Sequence, residues 1–327
     1  MPDRYFLGVD VGSSKTHALI VNETGQCVGF GLAGGGNHQR VGYDGLENVL
    51  RKSFHDALKM SGVGVALLTG AGFGVAGYDF PSDREGHLKA ISALGISCPM
   101  EVVNDGWNGL FAGATRGIGV NVTAGSSNNC RGRNKEGKEG RIVGNGPPFG
   151  EYGGGIEIAQ RALQMVNYAW IKRIPPTVLT EIFVEAVGAR NELDLMDGLS
   201  AKRYHLSSQL ALQVLRAAQE GDPAARDVIR WAGEELGWLT ISVARQIGMD
   251  QDEVEIIQSG SVFDAGEIIT IPMHKIVLKG CPRAKLMRLD GPPVVGAVIL
   301  GMEQAGFDGY SVRDVMVRTA KIILNEA

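Results

Sequence analysis

The sequence predicts an α/β protein in which a βββαβαβα unit occurs twice, so that two lobes enclose a cleft. Three short apolar segments separated by small turns, Tyr5–Val11, Thr16–Val21 and Cys27–Leu32, are typical of a β-meander. The same pattern restarts near residue 119. The chain has 327 residues, and a single hydrophobic core usually stops growing at roughly 250–300 residues. These observations predict two lobes of similar topology.

The first meander continues into alternating helices and strands. Apolar residues at helical spacing predict a helix over Gly45–Met60, and an apolar run predicts a strand over Val65–Val75. The next predicted elements are a helix ending near Leu94, a strand at Glu101–Val103 and a helix at Gly106–Ala114. We assign residues 1–115 to this first lobe.

The second unit is longer because four predicted helices lie between about residues 156 and 250. Its strands are predicted at Gly119–Ala124, Asn128–Arg133, Arg141–Gly144, Val254–Gln258 and His274–Leu278. Two final helices are predicted at Pro292–Gln304 and Ser311–Asn325. We assign residues 116–327 to this enlarged lobe and expect the last helix to pack on the first lobe.

Composition argues against several classes of protein. Lysine and arginine number 32 against 36 acidic residues, so the chain lacks the electropositive character of a nucleic-acid binder. We find no run of ~18 apolar residues that would suggest a membrane span. Met1–Asp10 leads directly into a strand without the apolar region of a signal peptide, so we expect a cytoplasmic protein. The cysteines are scattered and indicate neither disulfides nor zinc: Cys27, Cys98, Cys130 and Cys281.

The first candidate for chemistry is Asp10 with the run Gly12-Ser13-Ser14-Lys15-Thr16. The carboxylate ends a strand, and a small-residue turn follows whose backbone N–H groups can point at phosphate oxygens. A carboxylate at this position can hold a magnesium ion, because hard cations take oxygen ligands. A capped hairpin turn without a ligand is the alternative interpretation.

The second candidate is Asn104-Asp105, where a predicted strand gives way to a helix. Side chains at this position point toward the carboxyl-end crevice, where open α/β sheets bind ligands. Aspartate at a helix start also caps backbone N–H groups, so a purely structural role stays open.

Three further turns have compositions suited to ligands. Gly125-Ser126-Ser127 is the equivalent of the first turn in the second unit and is followed by Asn128 and Asn129. Gly260-Ser261 follows an apolar strand and leaves room for an adenosine. Asn37-His38 follows a glycine run after the third strand, and a solvated loop tip is its alternative interpretation.

The order of these motifs resembles the actin-like ATPase superfamily, which has two ribonuclease-H-like lobes and includes sugar kinases and 70-kDa heat-shock proteins. Within it, the chain is similar to the BadF/BadG/BcrA/BcrD-type ATPase and N-acetylglucosamine kinase family over nearly its whole length. The matching segments are Gly8–Thr16, Asn104-Asp105, Asn128–Arg131, Gly260–Phe263, Pro292–Ala297 and Gly36–His38.

The resemblance implies an ATP-dependent sugar kinase whose nucleotide site belongs to the second lobe. It implies phosphate contacts from both turns, a magnesium ion near Asp10, adenosine at Gly260-Ser261 and a catalytic role for Asp105. It also implies a small-molecule sugar as partner, without nucleic acid or membrane, and a homodimer. The substrate contacts that it implies are Asn37, His38, Asn104, Asn128, Asn129, Asn145 and Glu151.

Two of these positions depart from the family pattern. Asn145 stands where the amino-sugar enzymes carry tryptophan, and Glu151 stands where they carry a substrate-contacting aspartate. The resemblance therefore predicts an amino sugar or N-acetylhexosamine as acceptor and leaves the individual sugar open.

Two other functions stay open at this point. One is an ATPase activator of a CoA-ester dehydratase or reductase, whose relatives hold an iron–sulfur cluster between subunits. The cysteines here do not match the cluster-binding pattern of those relatives. The other is a non-catalytic sugar sensor, but its transcriptional relatives carry an added DNA-binding domain, for which we see no room before Asp10.

Overall fold

The computed structural model describes residues 4–326, so Met1–Asp3 and Ala327, the outermost ends of the predicted lobes, lie outside the described residues. The strands are β1 Tyr5–Val11, β2 Lys15–Asn22, β3 Cys27–Gly34, β4 Leu68–Val75, β5 Met100–Asn104, β6 Gly119–Ala124, β7 Asn128–Arg133, β8 Glu139–Arg141, β9 Glu255–Ser259 and β10 Lys285–Arg288. The α-helices are α1 His38–Ser61, α2 Arg84–Ser92, α3 Gly106–Gly113, α4 Gly155–Trp170, α5 Leu179–Val187, α6 Glu192–Ser200, α7 Leu210–Glu220, α8 Pro223–Gln246, α9 Glu267–Gly280, α10 Val294–Gln304 and α11 Arg313–Glu326.

The strands form two five-stranded sheets with the same topology. The first has the order β3-β2-β1-β4-β5 and the second has the order β10-β9-β6-β7-β8, which is the same sequence of strands read from the other edge. In each sheet the three meander strands pair antiparallel, and the later two add in parallel. The predicted duplication of a βββαβαβα unit is confirmed.

The first sheet is covered on both faces. Alternating residues of β1 point to opposite sides, as a strand requires. Leu7, Val9 and Val11 pack with the buried face of α1, whereas Phe6 packs with α10 and α11. Such double coverage explains why the parallel part of this sheet reads as a nearly continuous apolar run.

Two helices cross between the sheets and connect the two halves of the chain. Helix α3, which follows the last strand of the first sheet, packs on β6 and β7 of the second. Helix α10, which follows the last strand of the second sheet, packs on β1 and β4 of the first. Helix α11 then contacts β3, where the Cys27 backbone N–H donates to Thr319 Oγ1 over 3.1 Å. Within residues 4–326, no helix is long and apolar enough to cross a membrane.

Two predicted strands of the second lobe were wrong. The segment His274–Leu278 lies inside α9, because Ile269, Met273 and Val277 are buried at helical spacing, and the fifth strand is β10 instead. The short strand β8 begins at Glu139 rather than at Arg141. Helix α6 was not predicted.

Glycine allows α10 to lie directly on β1 and β4. A Cβ added at Gly72 would lie 2.1 Å from the Ala297 carbonyl oxygen and 2.8 Å from the Gly301 nitrogen, both of them backbone atoms. We expect Gly72→Ala to lower the free energy of unfolding by about 3 kcal/mol, the upper part of the usual range for overpacking. Gly64→Ala is the control, since no atom lies within 4 Å of its added Cβ, and should change stability by less than about 0.5 kcal/mol in urea denaturation. Equal stabilities would contradict this account of the contact.

Candidate active site

The carboxyl ends of three parallel strands meet at one edge of the first sheet. Asp10 lies at the end of β1, Asp79 follows β4, and Asp105 follows β5 immediately before α3. Parallel strands place such residues side by side at a ligand-binding crevice. The second sheet faces this edge with the amino-terminal part of β7 and the turn before it.

The first small-residue turn has its predicted hairpin geometry. Gly12 N–H donates to the Lys15 carbonyl over 2.9 Å, and the Gly12 carbonyl accepts from Gly36 N–H. The hydroxyl of Thr16, predicted to lie near phosphates, instead donates to the Gly34 carbonyl over 2.8 Å and is fully buried. Thr16 therefore ties β2 to β3, while Ser14 and Lys15 remain exposed.

The second turn lies against the first helix of its lobe. Gly125 and Ser126 accept hydrogen bonds at their carbonyls from the N–H groups of Gly155 and Ile156, at the start of α4. The Oγ atoms of Ser14 and Ser126 are 2.7 Å apart, within hydrogen-bond distance. The two turns therefore meet across the gap between the sheets.

The segment predicted for adenosine lies beside the second turn. Gly260 follows β9 with a φ of +95°, and a Cβ added there would lie 2.3 Å from the Ala124 carbonyl oxygen. Only glycine fits both the backbone conformation and this contact. Ser261 is exposed at the start of the short turn that follows, and Arg288 donates to the Gly260 carbonyl over 2.9 Å.

Asp10 and Asp105 interact electrostatically at this edge of the first sheet. Asp10 retains some contact with solvent, yet burial raises its pKa to about 6 against the hydrogen bond that Asn108 donates over 2.7 Å. Burial, and then the charge of Asp10, raise the pKa of Asp105 to about 7, while Arg131 opposes this rise. Neighbouring carboxylates with raised pKa values are a feature of functional sites.

A network of hydrogen bonds connects Asp105 to a buried ion pair between the two halves. Asn129 Nδ2 lies 3.2 Å from Asp105 Oδ1 and 2.7 Å from Asn104 Oδ1. Asn104 Nδ2 and Arg131 Nη2 each donate to Asp79 Oδ1 over 3.0 Å. The oxygen and the nitrogen of the Asn104 side-chain amide are therefore both engaged. Asn104, which was predicted to contact the substrate, positions its neighbours in the structure.

The predicted sugar loop lies next to this network. Asn37 caps α1 by accepting from Gln39 N–H over 2.9 Å. His38 stacks on Tyr43 with ring centroids 4.6 Å apart, and it meets the buried ring of His87 edge-on at 4.8 Å. A Cβ added at Gly77, just after β4, would lie 2.6 Å from Asn37 Oδ1. Asn37 and His38 thus face the same edge as Asp79.

Glu151, predicted to contact the substrate, is instead occupied by the loop before it. Its carboxylate accepts the backbone N–H groups of four consecutive residues at 2.6–3.2 Å, Val143, Gly144, Asn145 and Gly146. Consecutive N–H groups form a concave anion site, and here the bound anion is a side chain of the same chain. The side chain of Asn145 is exposed. Glu151 thus shapes the loop that carries Asn145.

We expect Glu151→Gln to loosen this loop, because an amide NH₂ cannot accept the N–H groups that the second carboxylate oxygen accepts now. Amide hydrogen exchange across residues 143–146 should accelerate by about tenfold or more, which corresponds to the loss of at least ~1.4 kcal/mol of local stabilisation. Glu139→Gln, at an exposed position of β8, is the control and should leave this exchange unchanged. Unchanged exchange in Glu151→Gln would contradict the proposed anchoring.

Several buried polar atoms at this edge have no hydrogen-bond partner among the described residues. They are His38 Nδ1, Asn108 Oδ1, Asn128 Oδ1, Asn129 Oδ1 and Arg131 Nε. Buried polar groups are nearly always paired in folded proteins. Their concentration between the sheets is typical of a site that completes its hydrogen bonds with a polar ligand.

Asp79, Asn108, Arg131 and Glu157 were missed from the sequence. Asp79 carried a usable signal, since it follows Gly77 directly after a predicted strand. Arg131 lies two residues after Asn129 on the same strand and therefore on the same face. Asn108 and Glu157 have no signal in the sequence, because only the packing of α3 and α4 brings them to the site.

Comparison with known proteins gives a match over most of the chain. The sequence matches the BadF/BadG/BcrA/BcrD ATPase family over residues 7–301. It is 24% identical over 306 residues to the N-acetylmuramic acid/N-acetylglucosamine kinase of Clostridium acetobutylicum, covering 92% of this chain and 99% of that protein. It is 27% identical over 321 residues to the N-acetyl-D-glucosamine kinase of Dictyostelium discoideum, with the same coverage.

A solved structure gives an independent comparison of the fold. The crystal structure of a Chromobacterium violaceum protein, provisionally assigned as an N-acetylglucosamine kinase, superposes with a TM-score of 0.72 at 21% identity. The superposition covers 91% of this chain and 98% of that one. The predicted two-lobed fold is thereby confirmed.

Proposed function

Because the chain belongs to the BadF/BadG/BcrA/BcrD ATPase family, we propose that it is an ATP-dependent kinase that phosphorylates an amino sugar or N-acetylhexosamine. The meeting of the two turns at Ser14 and Ser126, with Asp105 between the sheets, is the observation that carries the proposal. Both curated relatives are N-acetylhexosamine kinases and match over nearly their whole length, which supports the acceptor class.

In the proposed reaction, the turns at residues 12–15 and 125–127 bind the phosphates of ATP through backbone N–H groups other than those of Gly12 and Gly125, which donate within their own turns. The exposed Lys15 adds positive charge there. Asp105 takes the proton of a sugar hydroxyl while the hydroxyl oxygen bonds to the terminal phosphorus of ATP. The bond from that phosphorus to the bridging oxygen of ADP breaks in the same step. Such transfer depends mainly on positioning and on stabilisation of charge.

The donor groups around Asp10 fit a magnesium ion. Asp10 and the unpaired Asn108 Oδ1 are oxygen donors, as a hard cation requires. Such an ion is usually held by one or two carboxylates together with water and substrate phosphate oxygens. When bound, the ion would neutralise phosphate charge. We also propose that the protein is cytoplasmic and forms a homodimer. Sedimentation of the purified protein would test the dimer.

The direct test is ADP release with a panel of acceptors. We expect turnover with amino sugars or N-acetylhexosamines that exceeds turnover with glucose, galactose and mannose, and an increase over the rate of ATP hydrolysis without acceptor. Mass spectrometry of the product should show the addition of one phosphoryl group. ATP hydrolysis that no sugar stimulates would contradict the proposal.

A further inference from the structure

Glu157 is a buried carboxylate that the proposed reaction does not use. It lies in the first turn of α4 with 3% of its surface exposed, and Asn128 Nδ2 donates to its Oε2 over 3.4 Å. A Cβ added at Gly146 would lie 3.8 Å from its other oxygen. Glu157 therefore lies between the start of β7 and the loop that carries Asn145.

Strand geometry separates this group from the catalytic network. Asn129 and Arg131 share the face of β7 that contacts Asp105 and Asp79. Asn128 has the opposite orientation, as alternate residues of a strand do, and it contacts α4. Asn128 and Glu157 thus form a second polar pair beside the site, separate from the hydrogen-bond network around Asp105.

The charge of Arg40, from the first half of the chain, acts on this pair. Burial raises the pKa of Glu157, and the opposing influences are hydrogen bonds from Asn128 and the backbone and the positive charge of Arg40. Arg40 belongs to the first turn of α1, three residues after Asn37. A cation in the helix that follows the sugar loop of one half therefore interacts electrostatically with a carboxylate on the other half.

The pair offers one hydrogen-bond acceptor, on Asn128, that the described residues do not use. Asn128 is 8% exposed, and its Oδ1 has no partner among residues 4–326. Asn128 Oδ1 and the carboxylate of Glu157 together suit a ligand that donates hydrogen bonds. We propose that Glu157 and Asn128 form a specificity-determining site, which accepts a hydrogen bond from a hydroxyl or amino group of the sugar substrate. This inference rests on the proposed kinase function.

The experiment removes in turn the hydrogen-bond acceptor, which is the Glu157 carboxylate, and the hydrogen-bond donor on the sugar. Glu157→Ala and the wild type are compared on glucosamine, N-acetylglucosamine, glucose and monodeoxyglucoses by kcat/KM. For wild type, removal of the substituent that Glu157 contacts should lower kcat/KM by about tenfold or more, as expected when a buried polar group loses its partner. In Glu157→Ala that loss should shrink to within about twofold. The substituent whose removal matters in wild type but not in Glu157→Ala shows whether a hydroxyl or an amino group donates to Glu157.

A structural role is the competing explanation, since an acidic residue in the first turn also favours a helix. Glu181→Gln, in the exposed first turn of α5, controls for that effect and should leave all rates unchanged. Equal losses on every sugar in Glu157→Ala, or no loss, would overturn the specificity role.

Calorimetry of sugar binding without ATP distinguishes the two proposals. If wild type binds sugars but phosphorylates none, the kinase function is wrong, while the same comparison of dissociation constants still tests Glu157. If wild type binds none of these sugars, the specificity role is overturned as well.

Discussion

Replacing Asp105 by Asn should lower kcat by about 10²-fold or more while the affinity for ATP changes little. Asparagine keeps the size of the side chain and an oxygen to accept from Asn129, but it cannot take a proton from the acceptor hydroxyl. Steady-state kinetics with the best acceptor measures kcat, and titration with ATP measures nucleotide affinity. Asp252→Asn, at an exposed turn, is the control and should be fully active.

The pH dependence gives the same prediction a second readout. The pKa of Asp105 is raised to about 7, and a base acts only when ionised. Activity in wild type should therefore fall as pH decreases through about 7, and the residual activity of Asp105→Asn should lack this dependence. Loss of the buried charge should leave the variant at least as stable as wild type at pH 8, since burial disfavours that charge. A fully active Asp105→Asn enzyme would remove Asp105 from the base role.

The duplicated topology could be predicted because it depends on local sequence patterns of strands and turns. The first meander consists of short apolar runs separated by Gly, Ser and Asn turns, which is a signal that needs no tertiary contacts. The second meander is less apolar, and its first strand and the Gly-Ser-Ser turn after it carry the signal. Parallel strands then place Asp10 and Asp105 at one edge by a general rule. The positions of the two turns, which meet at Ser14 and Ser126, follow from the same topology.

Side-chain partners could not be predicted in this way. The sequence does not distinguish a glutamate that contacts a ligand from one that binds its own loop. Glu151 is of the second kind, since it accepts four N–H groups of the loop before it. The run His274–Leu278 has the composition of a strand, and only burial at i, i+4 and i+8 shows that it belongs to a helix. Asp79 and Arg131 are 52 positions apart, so their pairing depends on how the two sheets face each other.

The pair of Asp79 and Arg131 leads to the second large expected effect. Their side chains are only 5% and 4% exposed, so each is removed from water and compensated by the other. Arg131→Met would leave the Asp79 carboxylate buried, with the hydrogen bond from Asn104 but without its ion-pair partner. Arg141 donates to the main-chain carbonyl of Asp79 and does not replace that partner. We expect this variant to lose about 3–5 kcal/mol of unfolding free energy, as breaking a buried ion pair from one side usually does.

The effect should depend on pH in a defined direction. Burial already raises the pKa of Asp79, and Arg131 is the largest influence opposing that rise. Without Arg131 the folded-state pKa rises further above the unfolded value, so the variant is destabilised increasingly as pH rises from 5 to 8. Urea denaturation at both pH values measures this difference. Arg230→Met, which breaks an exposed pair, is the control and should lose less than about 1 kcal/mol.

A double variant separates the pair from general damage to the core. Asp79→Asn combined with Arg131→Met removes both charges, so it should be more stable than Arg131→Met alone. If the single variant is destabilised and the double variant recovers, the charge of Asp79 causes the loss. Because Asp79 and Arg131 lie on opposite sides of the crevice and share Asn104 with the network around Asp105, the same variants should lower kcat/KM for the acceptor. Equal stability of the single and double variants would instead assign Arg131 a packing role.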